Sequence, residues 1–148
     1  MKCYLAGSLF NEANVAQRKL EGKMFRERFP DIELFNPIDQ PFNENKQSLP
    51  TPNQIYLGDA NAVNDADILI VDLSDQDPGC MCELGLAINS NTKYIIGINS
   101  DIRLASANKY DIPTIGMNHF ILGAILENGY LVTSFLAALD KLEELLSL

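Results

Sequence analysis

Asp67-Ile-Leu-Ile-Val-Asp-Leu73 is a continuous apolar run rich in β-branched side chains. A run of that length with no polar alternation reads as a strand buried on both faces, which belongs in a parallel sheet. The turn Ser74–Gly79 follows it, and a helix is expected from about Cys80 to Asn89. Working backwards, Thr51 caps a helix that has Pro52 at its first position, runs to about Asp65 and carries Asp59 in its middle. Before it, Ile32–Phe35 reads as a strand stopped by Asn36-Pro37, and Asn11–Phe29 shows near-helical spacing of Val15, Leu20, Met24 and Phe25. Lys2–Ala6 is a short opening strand that ends in Gly7-Ser8. Working forwards, Lys93–Ile98 is a second buried strand, Asn118–Glu127 a helix, Tyr130–Val132 a last short strand and Ser134–Leu146 an amphipathic closing helix. The polar stretch Asp39–Pro52 reads as a loop long enough to act as a substrate lid, and Asn99–Gly116 as a second long connection.

Strands alternating with helices imply a doubly wound α/β fold. It is flavodoxin-like, with a five-stranded parallel sheet in the order 2-1-3-4-5 and helices on both faces. The 148 residues are expected to form one domain over 1–148. In such sheets ligands bind beyond the carboxyl ends of the strands, so the turns after strands one, three and four should supply the site.

Composition removes several classes. An apolar fraction of 47% and a charged fraction of 21% are ordinary for a soluble globular chain. No apolar run approaches the roughly 18 residues of a membrane span, and the start is too short before its first polar residues for a signal peptide, so a cytoplasmic location is expected. A formal charge of −9, from 20 acidic and 11 basic residues, repels a phosphate backbone and argues against a nucleic-acid partner. Cys3, Cys80 and Cys82 give C-x-C rather than C-x-x-C, with His119 the single histidine, so no metal site is expected. His119 reads as a helix-start or interface residue.

Asp77 and Glu83 lie on the turn and first helical residues after the central strand, where Gly79 lets a ligand approach the helix start. A carboxylate near a helix N-terminus is expected to be held ionised by the amide dipoles, and an ionised, positioned carboxylate is a competent nucleophile toward a sugar anomeric carbon. Asp77 and Asp59 are candidates for handling a leaving base. Asp67 sits at the far end of its strand and is set aside, whereas Asp72 ends that strand near the site and is a secondary candidate. Each of these residues also has a simpler reading: acidic side chains early in a helix stabilise it without catalysis, and Tyr4 inside a strand is ordinarily half-buried packing.

Four segments, in order, resemble the nucleoside 2-deoxyribosyltransferase family. They are Tyr4-Leu-Ala-Gly-Ser-Leu-Phe10, the helix and strand from Asp59 to Leu73, Asp77-Pro-Gly-Cys-Met-Cys-Glu83-Leu-Gly-Leu-Ala, and Asn118-His-Phe-Ile-Leu-Gly-Ala-Ile. The third is similar to that family's D-x-G-x-x-x-E-x-G-x-A segment. The resemblance implies that Glu83 attacks C1′ and holds the deoxyribosyl group, that Asp77 and Asp59 contact and protonate the base, and that Tyr4 hydrogen-bonds Glu83. It implies that Gly7, Ser8, Phe10 and Gly79 contact substrate, and that Asn118 binds a sugar hydroxyl in a neighbouring subunit's pocket of a homo-oligomer. Donor and acceptor would be a deoxyribonucleoside and a free nucleobase, exchanged by retaining double displacement with neither cofactor nor metal.

The related 2′-deoxynucleoside 5′-monophosphate N-glycosidases share the fold and the acidic residues, but their first turn continues Gly-Ser-Ile-Arg, with an arginine suited to phosphate. Here Gly7-Ser8 continues into Leu9-Phe10-Asn11-Glu12, which favours an unphosphorylated 5′ end. Phe10 and Phe42 are expected to exclude water and favour transfer over hydrolysis. The alternatives are that hydrolase and a non-catalytic nucleotide-binding module.

Overall fold

The computed structural model describes residues 1–44, 50–90, 92–103 and 116–147. Five strands, β1 (Lys2–Ala6), β2 (Glu33–Phe35), β3 (Ile68–Asp72), β4 (Tyr94–Ile98) and β5 (Tyr130–Val132), form one sheet in the order β2-β1-β3-β4-β5. Every pairing is parallel, with Tyr4 opposite both Phe35 and Leu69. This is the doubly wound flavodoxin-like order expected from the sequence. The helices are α1 (Glu12–Arg28), α2 (Pro41–Glu44), α3 (Pro52–Asn64), α4 (Pro78–Asn89), α5 (His119–Asn128) and α6 (Phe135–Leu146).

Strand side chains alternate between two apolar layers, as the two-residue pleat requires. Cys3, Leu5, Ile68, Ile70, Ile96 and Ile98 pack against Phe25 and Phe29 of the α1 side and against Phe135, Leu139 and Leu142 of α6. Tyr4, Ala6, Leu69, Val71 and Ile95 face the other way, onto Val63 of α3, Leu84 and Ala87 of α4, and Ile125 of α5. Each fully buried large apolar side chain contributes about 1.5–3 kcal/mol, so both layers are needed to hold the sheet. The site grows out of the second layer, because Tyr4 faces it.

Helix starts follow the cap residues. Asn11, Thr51, Asp77, Asn118 and Ser134 each accept a backbone N–H from their own helix. At Thr51 the capping box is complete: the Gln54 side chain also accepts the Thr51 N–H at 2.9 Å.

Two boundary expectations are corrected. Helix α4 begins at Pro78, not Cys80, because Asp77 serves as its cap and proline suits the first helical position. The stretch Asp39–Pro52 is not all loop: Pro37–Asp39 forms a 3-10 turn and Pro41–Glu44 a single helical turn, each opened by a proline whose φ is already helical. Residues 45–49 of that loop and 104–115 of the Asn99–Gly116 connection lie outside the described residues. Among the described residues, no helix is long and apolar enough to cross a membrane.

Candidate active site

At the carboxyl edge of the sheet, helices α3 and α4 close over Tyr4. A cavity of about 420 Å³ opens there between the β1–α1 turn, the segment after β2, the first half of α3 and the start of α4. Among the described residues its acidic lining is Asp59, Asp77 and Glu83, and its apolar wall includes Leu9, Phe10, Pro37, Phe42 and Ile55. Two elements separated in sequence, α3 with Asp59 and α4 with its cap Asp77 and with Glu83, thus bring their carboxylates to one cavity.

Glu83 sits in the second turn of α4, one helical turn beyond Cys80 and on the same face. Its Oε1 accepts a hydrogen bond from the Tyr4 hydroxyl at 2.7 Å. Tyr4 is 0% exposed rather than half-buried, and its ring stacks on Phe35 with centroids 5.2 Å apart. A phenol fixed by strand, sheet layer and stacked ring can hold one carboxylate oxygen and leave the other to face the cavity.

The expectation that the helix dipole keeps Glu83 ionised needs correction. Its carboxyl is pushed up to about 7, chiefly by burial; the Tyr4 hydrogen bond opposes this, while Asp59 and Asp77 add to it. The reason is position. Glu83 lies past the first turn, where the free N–H groups and their field are concentrated, so desolvation outweighs the dipole. Burial also raises the Asp59 carboxyl above its ordinary range. Asp59 is half-buried on α3, not on an exposed face. The Tyr4 hydroxyl is raised too, by burial first and then by Glu83 and Asp59, so it stays a hydrogen-bond donor.

Asp77 has a divided role. Its Oδ2 accepts the Cys80 N–H at 3.1 Å as the cap of α4, while the residue also lines the cavity. Ahead of it, Gln76 has φ 49, the left-handed region that L residues rarely occupy, and its Oε1 accepts the Asn118 N–H at 3.0 Å. A tight left-handed step therefore re-aims the chain so that Asp77 can start the helix and face the cavity. Gly79 lines the cavity, and a Cβ there would meet Asp77 Oδ2 at 2.9 Å.

Other residues singled out in the sequence fall elsewhere. Gly7 and Phe10 line the cavity, Phe10 remaining 77% exposed, whereas Ser8 is not among its lining residues. Asn118 is exposed and outside the cavity; its Oδ1 caps α5 by accepting the Phe120 and Ile121 N–H groups. Asp72 turns to Arg18 at 3.0 Å and accepts the Ser74 N–H at 3.0 Å. Cys80 is buried in the cavity wall, where burial raises its thiol, and Cys82 is exposed. His119 is the first residue of α5, on a second groove of about 580 Å³ between α4 and α5 lined by Met81, Leu84, Ile88 and Phe120.

The sequence reading did not select Pro37, Asn43, Ile55 or Cys80 for the site. Three had a signal. Pro37 follows the carboxyl end of β2, Ile55 is one turn before Asp59 on α3, and Cys80 is three residues before Glu83 on α4. Asn43 enters through the one-turn helix α2, where its Nδ2 donates to the Pro37 carbonyl at 2.6 Å.

A parallel sheet whose loops gather a small-molecule cavity beyond its strand ends defines an α/β ligand-binding class, here with three carboxylates inside an apolar wall. The chain belongs to the nucleoside 2-deoxyribosyltransferase family, whose pattern it matches over residues 3–136. That family acts on glycosidic bonds, transferring the glycosyl group or cleaving the bond. Among curated proteins it resembles an uncharacterized protein of Ureaplasma parvum serovar 3, at 30% identity, covering 96% of this chain and 94% of the relative. Three solved structures share the fold. A conserved protein from Enterococcus faecalis V583 has TM-score 0.81 and 24% identity, covering 97% of this chain and 98% of that one. The 2-deoxyribosyltransferase of Bacillus psychrosaccharolyticus has TM-score 0.63 and 16% identity, with 95% and 91% covered. The CMP N-glycosidase of Clostridium botulinum has TM-score 0.61 and 17% identity, with 97% and 98% covered.

Proposed function

We propose that the protein is a nucleoside 2-deoxyribosyltransferase that moves 2-deoxyribose between bases through a covalent intermediate on Glu83. The observation that carries this reading is the Tyr4 hydroxyl bonded at 2.7 Å to Glu83, which lines one cavity together with Asp59 and Asp77. Ionised Glu83 attacks C1′ of the donor. The C1′–N bond breaks, its electron pair stays on the base, and a carboxylic acid at Asp59 or Asp77 supplies the proton. Burial that raises the Asp59 carboxyl favours its carrying that proton. A second base then attacks C1′, Glu83 leaves, and the acceptor's proton returns to the same aspartate. Two inversions give net retention.

Transfer rather than hydrolysis is supported by the apolar wall of Leu9, Phe10, Pro37, Phe42 and Ile55, which lowers the water available to the intermediate. An unphosphorylated 5′ end is supported by charge. No Lys, Arg or His is among the described residues lining the cavity, and the nearby Arg18 is engaged by Glu21 and Asp72. A homo-oligomer with shared sites is part of the same reading: Phe120, 83% exposed beside the α4–α5 groove, offers an apolar surface to a second copy and would bring Asn118 toward a neighbour's cavity.

Incubating the protein with deoxyinosine or thymidine plus free adenine, and in parallel with the 5′-monophosphates, tests the reading by chromatography. A new deoxynucleoside is the expected product. Free base with deoxyribose or its phosphate would instead mark a hydrolase, and unchanged substrates a binding module. An active monomer in light scattering would overturn the shared-site part.

A further inference from the structure

Beneath the β1–α1 turn lies a group of charges that the proposed chemistry does not use. Arg18 is 4% exposed, and its Nη2 donates to Glu21 Oε1 at 2.8 Å and to Asp72 Oδ2 at 3.0 Å. Glu21 also accepts Gln17 Nε2 at 2.9 Å, and its carboxyl is raised by burial even though Arg18 pulls it down. The Arg18 carbonyl accepts Asn36 Nδ2 at 3.1 Å, and the Arg18 Nε is buried with no partner among the described residues. A buried ion group of this kind is weak support for stability, because well-packed apolar residues often replace one at no loss. Its location points to another use.

The guanidinium rests directly on Gly7. A Cβ at that position would lie 1.5 Å from Arg18 Nη1 and 2.5 Å from its Cζ, so only glycine lets the turn and the guanidinium share this space. Gly7, Leu9 and Phe10 are the part of the cavity wall that β1 feeds. On its other side Arg18 holds Asp72, whose Oδ1 accepts the Ser74 N–H at 3.0 Å and so opens the turn that leads to Asp77. One planar cation thus contacts both the start of the β1–α1 turn at Gly7 and the last residue of β3 at Asp72.

We infer that Arg18 is a positioning residue, setting the β1–α1 turn against the end of β3 so that Gly7, Leu9 and Phe10 form the substrate-binding wall. The inference rests on the proposed nucleoside reading but concerns binding rather than the chemical step. Tyr4, Asp59 and Glu83 lie on the opposite layer of the sheet from Arg18, so the chemistry should survive a loosened wall. A lysine at position 18 keeps a positive charge for the carboxylates but loses the planar fork and the plate under Gly7. A Gly7→Ala chain disturbs the same contact from the other side.

The experiment measures KM and kcat for a deoxynucleoside donor, together with its Kd by calorimetry, in wild type, Arg18→Lys, Gly7→Ala and the double variant. Each single variant is expected to raise KM and Kd by roughly ten-fold, with kcat within about two-fold. The pH profile of kcat/KM should keep its shape. The double variant should be little worse than either single one, because both remove one contact. Unchanged KM and Kd, fully additive effects, or a kcat that falls only with the folded fraction would overturn the inference. Where Arg18→Lys does not fold, the combined Arg18→Met, Glu21→Leu, Asp72→Asn chain leaves no buried carboxylate unpaired and takes its place. A wild type that binds but turns over no nucleoside would end the transferase reading, and Kd alone would then decide the role of Arg18. A wild type that does not bind a deoxynucleoside at all would end both.

Discussion

At Glu83, two opposing effects set the chemistry: burial pushes its carboxyl up to about 7 and the Tyr4 hydroxyl pulls it down. The attacking form is the ionised one, so kcat/KM in the free enzyme should rise with pH through about 7. Replacing Tyr4 by Phe removes the hydrogen bond that favours the charged form. The rising limb of the pH profile should then move to higher pH, read from kcat/KM between pH 5 and 9, and a limb that stays in place would remove Tyr4 from this role. Glu83→Gln keeps the size and polarity of the side chain but cannot attack, so turnover should be abolished while a donor nucleoside still binds. The sequence placed Glu83, Asp77 and Tyr4 near the right edge of the sheet, but not their mutual distances. It also overweighted the helix dipole at Glu83, because burial and then the charges of Asp59 and Asp77 raise its carboxyl, and these follow from packing between helices.

At the scale of elements, helix α4 and its cap divide two jobs that one residue performs. Asp77 starts α4 through the Cys80 N–H and also faces the cavity. Asparagine caps as well as aspartate, whereas alanine does not. Asp77→Asn should therefore leave stability nearly unchanged yet slow turnover, and Asp77→Ala should slow turnover and also cost about 1 kcal/mol of stability. Thermal melts set beside initial rates check both, and equal stability losses would show that the cap does not matter. Element existence was legible in the sequence from caps, strand runs and prolines. The short helix Pro41–Glu44 was not, because a single turn leaves no periodicity to read.

For the whole molecule, the sheet separates stability from chemistry. Leu142 of α6 is buried in the layer shared with α1, away from Tyr4 and Glu83. Leu142→Ala should cost about 2–5 kcal/mol in denaturant unfolding. The KM of the protein that remains folded should stay near wild type; a large KM change would mean the two layers are coupled. Glu83 has a global effect of the opposite kind. Its folded carboxyl lies above its unfolded value, so its contribution to stability is full below about 4.5 and is lost as pH rises through about 7. Relative to Glu83→Gln, wild type should lose roughly 3 kcal/mol across that window, at about 1.4 kcal/mol per pH unit. Chemical denaturation of both chains at pH 4.5, 6 and 8 measures it, and a difference that does not fall with pH would mean that Glu83 is not desolvated.

Strand runs, helix caps and the order of segments determined the doubly wound sheet and the edge at which a site belongs, because these depend on periodicity and on the right-handedness of parallel crossovers. They are properties of contiguous residues. Only the tertiary structure decided that Asp59 from α3 meets Glu83 from α4 over Tyr4 from β1, that Asn118 caps α5 outside its own chain's cavity, and that Arg18 lies under Gly7. Those meetings arise from packing between elements distant in sequence. Distance and desolvation there, which no local pattern encodes, fix both the charge on Glu83 and the shape of the cavity wall.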